Sequence, residues 1–108
     1  MNFLKSKEEI KPKYQVNGNN GCMASNRITV DGRKVGYMYR EEPDPTFPDS
    51  GWRFFAGDED DAYCENSENF NIFNLNTICN YDNSIIKYLD SPIGTSFLKH
   101  GKKFNKES

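Results

Sequence analysis

Residues 51–57, which read GWRFFAG, constrain the fold more than any other stretch of the chain. Their alternation predicts a strand with Trp52 and Phe54 on one side. Arg53 and Phe55 then point to the other side. Because apolar groups occupy both sides, this strand must be central in its sheet, with other parts of the protein covering each face.

A β-hairpin is predicted just before this strand. Asp31-Gly32 stands between two β-prone runs, residues 22–30 and residues 33–40. Asp-Gly between such runs is a strong signal for a two-residue turn. Together with the strand at residues 51–57, this turn predicts a β-meander in a small antiparallel sheet.

Short helices are expected after the central strand. Asp58, Asn76 and Asp82 are each suited to cap the first amides of a helix. Residues 95–99 read as a final strand. The fold class predicted is α+β, with two or three short helices packed on the small antiparallel sheet.

The length of 108 residues suits one domain. We expect that domain to span residues 21–99, after a partly flexible N-terminal extension at residues 1–20 and before a basic tail at residues 100–108. No apolar run approaches the ~20 residues of a membrane span, and the first residues lack a secretory signal. Three cysteines without metal-ligand spacing suit reduced thiols. We therefore expect a cytoplasmic protein without membrane contact.

Charge is unevenly distributed along the chain. The formal net charge is only −2, but residues 41–68 hold ten acids and a single base, Arg53. Lysines concentrate towards both ends. The acidic middle would repel phosphates, so a nucleic-acid partner is not expected.

Catalytic and metal-binding patterns are weak. Glu41 and Glu42 are neighbours that would point to opposite faces of a strand, which makes them a poor acid–base pair. His100 is the sole histidine and lies in the predicted tail. The acid run at residues 58–61 lacks the spacing of a calcium loop. We expect no enzyme activity, no cofactor and no metal.

The acidic middle is better suited to binding another protein. The loop at residues 41–50 contains three prolines, and a stiff loop loses less entropy on binding. Trp52 is expected in the core, while Arg53 either neutralises acids or anchors an interface. The predicted partner-binding residues are Glu41, Glu42, Asp44, Phe47, Asp49, Arg53, Asp58, Glu59, Asp60 and Asp61.

Three segments carry a family resemblance: ITVDGRKVGYMYREEPD, DSGWRFFAGDEDD and NTICNYDNSIIKYLDSPIGTSF. They resemble the immunity protein 33 family over residues 28–97, and the pairing of GYMYREEP with SGWRFFAGDED is specific. The resemblance implies a small α+β domain that protects a bacterium from a toxin of a polymorphic toxin system. It implies no catalytic residues.

Three functional hypotheses follow. The first is a binding protein, a monomer or weak homodimer, whose acidic and aromatic face occludes its cognate toxin. The second is a small-ligand-binding or enzymatic domain with a pocket near Gly36, Trp52 and Arg53, where Arg40 and Arg53 grip a carboxylate or phosphate. The third is a structural homo-oligomer joined through an exposed strand edge.

Overall fold

A six-stranded sheet organises the protein in a computed structural model, which describes residues 20–107. The strand order is β4-β1-β3-β2-β5-β6. The strands are β1 (Gly21–Ser25), β2 (Tyr37–Arg40), β3 (Asp49–Phe55), β4 (Phe70–Asn74), β5 (Ser96–His100) and β6 (Lys103–Lys106).

The expected central strand is confirmed as β3. It pairs with β1 in parallel and with β2 in antiparallel orientation. The register places Arg53 opposite both Met23 and Tyr39. The parallel β1–β3 pair makes the sheet mixed, where antiparallel pairing throughout was expected.

Short helices connect the strands, so the expected α+β class is confirmed. They are α1 (Asn26–Thr29), α2 (Asp61–Glu65) and α3 (Leu75–Tyr81), with 3-10 helices at Ser67–Asn69 and Asn83–Tyr88. None of the helices in the described part of the chain is long and apolar enough to cross a membrane.

Two of the three expected helix caps are displaced by two residues. Asp82 caps the helix at Asn83–Tyr88 as predicted. However, α2 is capped by Asp60, whose carboxylate accepts a hydrogen bond from the Tyr63 amide at 2.8 Å, and not by Asp58. Asn74 caps α3 in place of Asn76. Asp58 is not available as a cap because its carboxylate faces arginines of another segment.

The predicted hairpin at Asp31-Gly32 is wrong. The first strand ends at Ser25, whose hydroxyl accepts from the Arg27 amide and starts α1. Gly32 has a φ of 79°, but its amide donates to the Ile28 carbonyl at 3.2 Å, so the turn ends a helix. Asp-Gly serves helix termination as well as hairpin turns. Strand β3 lies between β1 and β2, which therefore do not pair.

The hydrophobic core lies between the helices and one side of the sheet, the covered face. Trp52 is 0% exposed there, as expected, and its Nε1 donates to the Leu89 carbonyl at 3.1 Å. Ile28, Ile78 and Ile85 pack from the helical side. The covered face consists of Cys22, Ala24, Met38, Trp52, Phe54 and Phe97.

The C-terminal segment, predicted as a basic tail, contains the edge strand β6. Strand β6 pairs with β5, and the ring of Phe104 is 7% exposed against Tyr88, with ring centroids 5.4 Å apart. The lysines of β6 suit an edge that must not recruit another strand. The predicted N-terminal extension, except Asn20, lies outside the described residues.

Candidate partner-binding surface

The other side of the sheet, the open face, is a half-exposed apolar surface. Helices α1 and α3 pack on the covered face, whereas α2 reaches the open face only at its border, with Tyr63 against Phe70 and Cys64 beside the same hollow as Phe55. Ile72 on the open face is 55% exposed. Strand alternation and register bring its members together. The open face consists of Met23, Tyr37, Tyr39, Arg53, Phe55, Phe70, Ile72 and Leu98.

Aromatic rings run across this face. Tyr39 and Phe55 are stacked with ring centroids 5.9 Å apart, and Phe70 meets Phe55 edge-on at 5.6 Å. Tyr37 extends the row, because it lies opposite Phe55 in the β2–β3 register. Half-exposed aromatic surface of this kind is enriched at the core of protein interfaces.

Arg53 lies in the middle of the open face but is only 5% exposed. Its guanidinium binds Asp49 in a bidentate manner, at 2.7 and 3.0 Å, and its Nε donates to Glu41 at 2.6 Å. Burial opposes its charge, but these two carboxylates outweigh that effect and raise the pKa of Arg53. The guanidinium is therefore engaged internally.

Asp49 is 1% exposed, and its carboxylate accepts four hydrogen bonds. Besides the two from Arg53, the amides of Asp44 and Gly51 donate to it at 2.7 and 2.9 Å. Burial raises the pKa of Asp49, but the hydrogen bonds prevail and hold that pKa below its usual value. Asp49 thus faces the interior.

An irregularity in β3 brings the side chains of Asp49 and Arg53 close enough to pair. Gly21 lies opposite Asp49 and Met23 opposite Arg53, so β3 advances four residues while β1 advances two. Gly51, with a φ of 93°, lies in the middle of this bulge. In a regular strand, residues four apart are roughly 13 Å apart, and the bulge shortens that distance.

The loop between β2 and β3 forms an acidic rim at one end of the open face. Asp44 Oδ1 accepts from the amide and hydroxyl of Thr46, at 2.8 and 2.6 Å, and these bonds lower the pKa of Asp44. Glu42 is exposed. Phe47 is half-buried and borders a separate hollow beside Ile72.

The acids at residues 58–61 differ in their environments. Asp58 is paired with Arg33, and lies 3.5 Å from Nε of Arg27. Glu59 accepts from the amides of Ala56 and Gly57, at 2.8 and 2.9 Å. Asp58 is therefore neutralised, while Glu59 is fixed in position by the backbone.

Three of these acids act on the same part of the open face. Burial, followed by Glu59, Asp61 and Asp60, raises the pKa of the exposed thiol of Cys64. Cys64 also borders hollows lined by Glu41 and Asp44 on one side and by Glu59 on the other. The structure therefore brings Glu41, Asp44 and Glu59 around one surface, and Asp60 and Asp61 lie at the start of the helix that carries Cys64. The predicted partner-binding residues did not include the aromatic rings of the open face, because the neighbours of Phe70 depend on strand order.

The ligand pocket expected near Gly36, Trp52 and Arg53 is wrong, because these residues do not line one cavity. Trp52 lies on the covered face, whereas Arg53 lies on the open face. Gly36 is approached by the Ala56 carbonyl, which would be 2.0 Å from an added Cβ, and not by a hollow. Arg40 donates to the carbonyls of Ser50 and Ser91 at 2.9 and 2.7 Å. Arg40 and Arg53 therefore do not converge on one anion.

Within residues 20–107, no three His, Cys, Asp or Glu side chains come together as metal ligands would. Cys22, Cys64 and Cys79 are free thiols, and burial raises the pKa of Cys79 to about 11. His100 lies 3.8 Å from Glu107 at the end of the sheet.

The fold and this surface define a small α+β domain with an exposed aromatic sheet face. A family model, the immunity protein Imm33 domain, matches residues 22–107. The protein therefore belongs to the Imm33 immunity protein family, as the sequence resemblance indicated. An immunity protein domain is generally non-enzymatic and has a toxin as its partner. No curated protein and no solved structure matches the chain.

Proposed function

We propose that the protein binds and neutralises one cognate toxin of a bacterial polymorphic toxin system through the acid-rimmed open face. The single observation that carries this proposal is the row of half-exposed rings at Tyr37, Tyr39, Phe55 and Phe70 on a rigid sheet. Buried apolar area and aromatic anchors supply most of the affinity at such surfaces. Membership of the immunity protein family supports a toxin as the partner.

The acidic rim selects a basic partner. The rim carboxylates are those of Glu41, Glu42 and Asp44 in the loop between β2 and β3, to which the exposed Asp60 and Asp61 at the start of α2 are added here. Complementary charge raises the association rate and excludes acidic competitors. If the toxin cleaves nucleic acid, its active site is basic and these carboxylates take the place of phosphates. Asp49 and Arg53 contribute by fixing the rim, because both are buried.

The protein acts by occlusion, performs no reaction itself and needs no cofactor. It works in the cytoplasm as a monomer or weak homodimer, where the toxin would otherwise act. Phe47 adds apolar contact at the outer end of the loop, next to Ile72.

The toxin encoded by the neighbouring gene provides the test. We expect co-production of the protein to protect cells from that toxin, and calorimetry to show a complex whose affinity falls as salt rises. The variant Asp60→Asn/Asp61→Asn should weaken the complex about fivefold at low salt, because two rim charges are lost. Asparagine keeps the cap of α2, so the fold is retained.

A matched control removes the same charge elsewhere. Asp31→Asn/Asp90→Asn changes two exposed acids that lie outside the acidic rim, and it should bind like the unmodified protein. Equal losses in both double variants, or no loss in either, would contradict the acidic-rim proposal.

A further inference from the structure

The open face contains a cavity of about 380 Å³ beside the loop that joins β2 and β3. This volume lies in the range of roughly 300–1,000 Å³ that is usual for sites that hold one small ligand or side chain. Tyr39, Phe55 and Phe70 form aromatic walls of the cavity, and Glu41, Asp44 and Arg53 contribute polar groups to its lining.

The aromatic walls favour a cation. The rings of Tyr39 and Phe55 are nearly parallel, at 13°, while Phe70 is inclined at 66° to Phe55. Tyr39, Phe55 and Phe70 are all half-exposed. The negative face of an aromatic ring attracts a positive group that approaches to about 6 Å of its centre.

The polar side chains that line the cavity also favour a cation. Arg53 is already bonded to Asp49 and Glu41, so three carboxylates, including that of Asp44, surround one guanidinium. Within the described part of the chain, Glu41 Oε1 and Asp44 Oδ2 have no hydrogen-bond partner. A cation that enters the cavity therefore meets net negative charge and two free acceptors.

We propose that this cavity, the arginine pocket, takes the guanidinium of an arginine side chain of the toxin, an inference that rests on the proposed function. A planar guanidinium stacks on aromatic rings and binds carboxylates in a bidentate manner, so it uses both linings at once. Arginine is also among the residues that carry most binding energy at protein interfaces. The pocket identifies the contact on which the toxin complex depends most.

A small probe tests the pocket without the toxin. The full chain is titrated with Nα-acetyl-L-arginine amide and followed by NMR, with Nα-acetyl-L-citrulline amide as the uncharged control of similar shape. We expect the arginine probe to shift signals of Tyr39, Phe55 and Phe70, and the citrulline probe to leave them unchanged. Tyr39→Leu should weaken binding of the arginine probe about fivefold, because one aromatic wall is lost. Equal shifts from both probes, or none from arginine, overturn the proposal.

The toxin complex separates failure of the pocket from failure of the function. Asp44→Asn keeps the Oδ1 acceptor for Thr46 and should weaken the complex about tenfold, while Asp90→Asn should not. If Asp44→Asn and Tyr39→Leu both bind the toxin at full strength, the pocket is refuted and the immunity function stands. If the unmodified protein forms no toxin complex, the function is refuted, and the probe titration still decides whether the pocket prefers a guanidinium.

Discussion

Arg53 is a buried charged residue in the middle of the central strand β3, and its hydrogen-bond partners determine how that burial affects stability. Removing two charges from water costs more than their attraction returns unless further hydrogen bonds compensate. Asp49 has those bonds, two from Arg53 and two from backbone amides. Since one amide belongs to Asp44, the pair fixes the start of the acidic loop and sets the position of the rim.

Asp49→Asn tests this pair at the residue scale. The amide of asparagine places an N–H group against the donors of Arg53, and we expect the free energy of unfolding at neutral pH to fall by about 3 kcal/mol. Urea denaturation measures this fall in the free energy of unfolding. The exposed control Asp90→Asn should stay within about 0.5 kcal/mol of the unmodified protein.

The same pair predicts a dependence on pH. The folded pKa of Asp49 lies below its unfolded value of about 3.9, so its contribution to stability is complete above that pH. It is lost as the pH falls further, through the folded pKa, at up to about 1.4 kcal/mol per pH unit. Urea denaturation between pH 4 and the acid limit of folding should therefore give a flatter profile for Asp49→Asn. Parallel profiles would show that Asp49 is not the titrating group.

At the scale of elements, the bulge in β3 connects the fold to the site. Gly51 has a φ of 93°, and an added Cβ would lie 2.1 Å from the Glu41 carbonyl oxygen. The same carbonyl belongs to the residue whose side chain binds Arg53. A displacement of the bulge therefore moves both Asp49 and Glu41.

Gly51→Ala should destabilise the protein by about 3 kcal/mol, since strain at positive φ and a clash with backbone act together. Gly94→Ala is the matched control, because Gly94 has a φ of 98° and nothing lies within 4 Å of its added Cβ. We expect about 1 kcal/mol for that control in thermal or urea denaturation. Equal losses in the two variants would show that contact with Glu41 carries no cost.

The elements also show what the sequence predicts and what it leaves open. The central position of β3 follows from apolar residues on both of its faces, which is local information. The Asp31-Gly32 turn is ambiguous, because a helix end and a hairpin both favour glycine at positive φ. The parallel pairing of β1 with β3 depends on contacts between distant segments, and the burial of Asp49 depends on the bulge. The sequence composition therefore predicted the acidic residues. It did not predict that Asp49 lies in the interior while Glu41 and Asp44 lie at the rim.

At the scale of the whole molecule, the sheet separates stability from recognition. Its covered face packs against helices, and its open face presents aromatic rings, so adjacent residues of one strand have opposite roles. Phe54 is 0% exposed in the core, and the next residue, Phe55, lines the arginine pocket. The same substitution at Phe54 and at Phe55 therefore compares the role of the covered face with the role of the open face.

Phe54→Leu should lower the free energy of unfolding by about 2 kcal/mol, because it leaves a cavity in the core. Toxin affinity should stay nearly constant in that variant under conditions where it remains folded. Phe55→Leu should cost less than about 1 kcal/mol of stability, since the ring is half-exposed, yet weaken the toxin complex about tenfold. Denaturation and calorimetry on the same two samples measure both effects. If Phe54→Leu weakens the folded protein's complex as much as Phe55→Leu does, recognition does not reside on the open face.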